Sequence, residues 1–159
     1  MAMKNSIEFS KEEYLTIIQA VQIAGSVYGI MGDMVNKKFK KIAHSIDNIE
    51  DLILSHADKF GTDYLVEEFM GKKLVCEEKL QEYLDDLWQY EEYVMWDNLA
   101  HRLARRDMGR IYSKQQLSEM DRYKYIELES TLEEGYEKEF QQNGLERVEI
   151  STMNSHAKH

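Results

Sequence analysis

The stretch from Leu74 to Asp107 constrains this chain more than any other. It holds both tryptophans, Trp88 and Trp96, and a dense run of large apolar side chains at helical spacing. Advancing about 100° per residue, Leu80, Tyr83, Leu84, Leu87, Tyr90, Val94 and Met95 fall on one arc, as in an amphipathic helix. Glu91 lies near the middle of that arc, and beyond it the apolar stripe moves round to Trp96, Leu99 and Leu103. One straight helix would serve both faces only by burying Glu91, and an unpaired buried carboxylate is costly. The expectation is two helices, about 73–91 and 93–108, with a kink or short turn between them.

The rest of the chain points the same way. Its 159 residues contain no proline, which suits long helices joined by turns of Gly, Asn and Asp. Ser10 to Glu13 and Ser113 to Gln116 are capping-box patterns that open helices, and Ile7 and Phe9 stand where they would staple the first one. Val35, Phe39, Ile42, Ile46, Ile49, Ile53, His56 and Phe60 form a heptad-like seam, either one helix or two with a fresh cap at Asp47. Gly61 is placed to end it, Thr62 or Asp63 to cap a short helical turn through Tyr64, Leu65 and Phe69, and Gly71 to separate that turn from the central stretch. Leu117, Met120, Tyr125, Leu128, Leu132, Tyr136 and Phe140 trace one long helix ending at Asn143-Gly144. Leu145 to Ile150 alternates as a short extended segment, and 151–159 reads as a disordered tail. The fold expected is all-α, an irregular bundle of four to six helices in a single domain over 1–150.

From Tyr14 to Gly32 nineteen residues carry no charge, and Gly25 and Gly29 make the GxxxG spacing of close-packed membrane helices. Thr16, Gln19, Gln22 and Ser26 nevertheless line one side. A helix apolar on three sides with one polar stripe reads as the central helix of a soluble bundle, its glycines marking a close crossing or a bend. The opening MAMKNSIEFSKEE lacks the basic-then-apolar order of a signal peptide, so a cytoplasmic protein without membrane association is expected. The lone Cys76 forms no intramolecular disulfide and reads as a packed thiol.

A formal charge of −10 argues against nucleic-acid binding. The acidity is uneven. Residues 1–61 carry eight acids against seven bases, and 63–107 carry twelve against six. An acidic decoy imitating nucleic acid is opposed by the lysines and arginines on the same helices.

Asp97, His101 and Arg105 stand at i, i+4 and i+8, a spacing in which a carboxylate would orient an imidazole as general base or metal ligand. The plainer reading is a solvated charge ladder supporting its own helix. His56 in the seam and His44 near Asp47 read as hydrogen-bonded structural histidines, since no HxxxH or HExxH spacing is present. The basic runs Lys37, Lys38, Lys40, Lys41 and Arg102, Arg105, Arg106, Arg110 suit an oxyanion, or else neutralise the chain's own surplus of carboxylates. No glycine-rich phosphate loop is present.

Acid pairs recur at Glu67-Glu68, Glu77-Glu78, Glu82 with Asp85-Asp86, and Glu91-Glu92. The string Glu82-Tyr-Leu-Asp85-Asp-Leu-Trp88 resembles the acidic second motif of all-α nucleotide pyrophosphohydrolases of the MazG type. That likeness implies Mg²⁺ held by Glu67, Glu68, Glu82, Asp85 and Asp86, although the upstream ExxE of those enzymes is missing. Across the whole chain, Lys11-Glu-Glu-Tyr-Leu15, Trp96-Asp-Asn-Leu-Ala-His-Arg-Leu-Ala-Arg-Arg-Asp107 and Tyr136 to Ile150 (YEKEFQQNGLERVEI) resemble a family of uncharacterised small bacterial all-helical proteins. The resemblance implies a bacterial cytosolic protein with a helix starting afresh near Tyr93, and it supplies no catalytic residues. The leading expectation is a non-enzymatic, self-associating interaction protein without cofactor. The alternative is a metal-dependent hydrolase of nucleotides or phosphate esters, its phosphate held by Arg102 or Arg106.

Overall fold

A computed structural model describes residues 7–149, and the tail expected at 151–159 lies outside them. Five α-helices and one two-stranded hairpin account for the regular structure of these residues. They fall into two compact units that divide between Gln89 and Tyr90.

The N-terminal unit opens with α1 (Lys11–Ile30). The Ser10 hydroxyl accepts from the Glu13 amide and the Glu13 carboxylate from the Ser10 amide, the box expected there. Ile7 is 75% exposed and Phe9 is exposed too, so the expected staple does not form. A π-helical turn (Met31–Val35) extends α1 until Asn36 turns extended and caps a 3₁₀ turn, Lys37–Phe39, leading into α2 (Lys40–Leu54). The seam is therefore broken at Asn36, with no new cap at Asp47. It also splits lengthwise. Ile53 and Phe60 pack against a core of Tyr14, Ile18, Leu54, Val75 and Tyr83, while Ile42 and Ile49 face out. Tyr14 anchors this core twice, stacking on Phe60 with centroids 4.0 Å apart and donating its hydroxyl to the Ile53 carbonyl at 2.6 Å.

α1 is not the surrounded central helix the sequence suggested. Only Tyr14 and Ile18 are buried, and Val21 to Gly29 are half-buried. Nor do Gly25 and Gly29 enforce a close crossing, whereas Gly32 does sit at a close approach, where a β-carbon would lie 3.2 Å from the Lys40 amide nitrogen. A β-carbon on Gly25 would sit an ordinary 3.7 Å from Ile46, and one on Gly29 would meet nothing.

After α2, a 3₁₀ turn (Ala57–Phe60) ends at Gly61 with φ 61°, the left-handed cap expected. Buried Thr62 donates its hydroxyl to the Ala57 carbonyl instead of capping the next turn. The short helix expected through Phe69 is instead a 3₁₀ turn, Asp63–Leu65, followed by β1 (Val66–Phe69) paired antiparallel with β2 (Lys72–Val75). Met70 and Gly71, at φ 53° and 79°, make the two-residue turn. Two successive positive φ values match the right-handed twist of a hairpin. Glycine supplies the second without strain.

α3 runs unbroken from Glu77 to Ile111. The break expected near Glu91 does not occur, because that carboxylate is exposed. The first arc divides at Gln89: Leu80, Tyr83, Leu84 and Leu87 belong to the N-terminal unit, with Tyr83 and Leu87 buried, whereas Tyr90 and Met95 fall in the other unit and are exposed. The second stripe belongs to the other unit, so no single face has to carry both.

In the C-terminal unit the buried stripe of α3 is Ala100, Ala104 and Met108, continuing from half-buried Trp96, whereas Leu99 and Leu103 are its margins. The Ser113 capping box starts α4 (Lys114–Glu119), as expected. The long helix predicted from Leu117 onward is interrupted at Met120. Asp121 caps α5 (Arg122–Asn143) by accepting from the Tyr123 and Lys124 amides. Gly144 closes α5, and 145–147 are turn and 148–149 irregular rather than strand, with Ile150 outside the described residues.

Candidate functional site

Neither side-chain constellation picked out by spacing assembles as a site. Asp97, His101 and Arg105 do not contact one another. His101 Nδ1 lies 3.1 Å from Glu133 Oε1, and Arg105 Nε donates to Glu129 Oε1 at 2.7 Å. Both partners stand on α5, so the ladder ties two antiparallel helices together and does not brace α3 alone. A carboxylate only accepts, so Nδ1 of His101 carries the shared proton.

The carboxylates considered for a metal are dispersed through the N-terminal unit. Glu67 and Glu68 are adjacent on β1, where successive side chains take opposite faces. Glu82 pairs with Lys79 at 2.5 Å, Asp85 accepts from Gln81, and Asp86 accepts from Gln19 on α1. Among the described residues no three His, Cys, Asp or Glu side chains gather closely enough to hold a metal ion. His56 is engaged by Ser55 Oγ and the Leu52 carbonyl, His44 is exposed, and Cys76 is half-buried. Lys40 pairs with Asp33 and Lys38 lies over Phe39, while Lys37 and Lys41 are exposed.

One polar cluster escaped the sequence reading. Asp107 accepts from Arg106 Nε at 2.8 Å, from Arg110 at 3.2 Å and from the Tyr136 hydroxyl, which itself accepts from Arg106 Nη2 at 3.1 Å. The Arg106 and Tyr136 hydrogen bonds pull the Asp107 carboxyl down from 3.8 to about 2. A folded-state value below the unfolded one stabilises above pH 3.8, and that stabilisation drains away as pH falls through about 2. Discounted for partial exposure, it is on the order of 1 kcal/mol. Asp107→Asn should lower stability by about that much at pH 7 and flatten the acid limb. Urea titrations at pH 7 and at pH 3 check this, and equal pH dependence in both proteins would refute it.

What stands out across the N-terminal unit is apolar surface. Ile42 and Ile49 are 42% and 47% exposed, and Leu52 is 62% exposed. At i, i+7 and i+10 they share one face of α2, with Ser45 between. Met34 and Val35 at the preceding π turn are more exposed still. Compared with known protein families, curated proteins and solved structures, the chain matches none of them.

Proposed function

We propose that this is a non-enzymatic, cytosolic interaction protein, of the kind its resemblance to small bacterial helical proteins suggests, and that it self-associates through the outer face of α2. The observation that carries the reading is the exposed Ile42–Ile49–Leu52 stripe. Single exposed leucines are ordinary, but several large apolar side chains exposed on one helix face usually mark an interface. Each of these side chains would gain on the order of 1 kcal/mol on losing its remaining exposure, and a twofold contact counts each of them twice.

The test is light scattering across a concentration series. The parent chain should pass from monomer to dimer, and Ile42→Asp with Ile49→Asp should remain monomeric with unchanged helicity. A strict monomer at the highest concentration would end the proposal.

A second reading rests on the helix Lys11–Val35, long and apolar enough to cross a membrane and 11% buried. Against it, the polar stripe is already engaged within its own unit, since Gln19 donates to Asp86 and Gln22 to Glu50 at 2.9 Å each. Recovery of the protein in carbonate-resistant membranes would favour the second reading over the first.

A further inference from the structure

A cleft of about 480 Å³ opens in the C-terminal unit between α3 and α5, lined by Tyr93, Trp96, Asp97, Glu137, Phe140 and Gln141. Its volume falls in the range of small-ligand sites. The Trp96 and Phe140 rings meet there at 5.1 Å between centroids and 37° of tilt, and Tyr136 adds a third ring 6.0 Å beyond Phe140.

Two exposed carboxylates, Asp97 and Glu137, stand at this cleft. Elsewhere along the same pair of helices each interfacial acid has a donor. Asp107 has Arg106, Arg110 and Tyr136, Glu129 has Arg105, Glu133 has His101, and Glu139 has Asn143 and Arg147. Asp97 and Glu137, both exposed, make no hydrogen bond or ion pair among the described residues. Two carboxylates without counter-ions therefore overlook an aromatic floor.

From this geometry we infer that the cleft binds a small alkylated ammonium ion. The negative face of an aromatic ring attracts a weakly hydrated cation, most strongly from tryptophan. The carboxylates add attraction at a range where hydroxyl or amide ligands gain nothing. A bare metal ion fits the site poorly, since among the described residues no three His, Cys, Asp or Glu side chains gather closely enough to replace its hydration shell. Methyl or methylene groups on nitrogen, by contrast, bury favourably on Trp96 and Phe140. Asp97 thus acts by charge toward a ligand instead of orienting His101.

The experiment uses the full chain with Trp88→Phe, which leaves Trp96 as the only indole. Choline and tetramethylammonium are titrated at low ionic strength, with 3,3-dimethyl-1-butanol as the uncharged counterpart of choline and sodium as the hydrated cation. Both ammonium ions should change Trp96 emission saturably, and the other two should not. Asp97→Asn with Glu137→Gln replaces two exposed side chains, so circular dichroism should be unchanged while affinity falls roughly tenfold or more. No saturable response, an equal response to the neutral counterpart, or undiminished affinity in the folded double variant would each overturn the inference.

Discussion

Leu54→Ala is expected to destabilise the N-terminal unit by about 2–5 kcal/mol. Leu54 has no exposed surface, and it closes the core formed by Tyr14, Ile18, Val75 and Tyr83. Truncation removes the transfer free energy of the lost methyl groups and leaves a cavity that the stacked Tyr14–Phe60 pair resists filling. Against a typical total of about 5–15 kcal/mol, that is a large share. Leu52, two residues away and 62% exposed, supplies the control. In protein dilute enough to be monomeric, Leu52→Ala should fall within about 0.5 kcal/mol of the parent. Urea denaturation followed by circular dichroism measures both, and equal losses at the two positions would show that the core is misplaced.

Ala104→Leu should destabilise the C-terminal unit by about 1–3 kcal/mol. Ala104 is fully buried in the stripe that continues from Trp96 toward Met108. The ties from His101 to Glu133 and from Arg105 to Glu129 hold α5 alongside that stripe. Three added carbons must displace whatever covers Ala104, because a fully buried side chain has no room to absorb them. Leucine and alanine differ little in helix propensity, so a loss of this size reports packing rather than helix formation. With Trp88→Phe in the background, the emission of Trp96 against Phe140 follows the change. A neutral or stabilising outcome would mean that the helices do not meet at Ala104.

Where a rule is local, the sequence was readable. The boxes at Ser10 and Ser113, the left-handed glycine at 61 and the end of α5 at Gly144 each depend on residues within a turn of one another. What failed depended on partners elsewhere in the chain. Glu91 argued for a break only if the whole first arc were buried, and the part of it around Glu91, with Tyr90 and Met95, is exposed. The hairpin escaped because four-residue strands such as VEEF and KKLV carry little alternation, and their Met-Gly turn lacks the usual asparagine or aspartate. Alanines were overlooked in the stripe at 100 and 104 because a search for large apolar side chains passes over small ones.

The interhelical ladder was within reach. His101 and Arg105 are four apart, as are Glu129 and Glu133, and antiparallel helices match such pairs in reverse order. Likewise the Asp121 cap that splits α4 from α5 was legible as an N-cap residue before a helical run.

The unbroken α3 has a further consequence. Starting a helix fixes several residues for a single hydrogen bond, a penalty of roughly a thousandfold, whereas each later residue adds its own bond. Residues on either side of Gln89 and Tyr90 draw on the same run of hydrogen bonds, with no linker between the units to isolate one from the other. One nucleation event therefore serves two cores. Whichever unit orders first leaves the other a helix already begun.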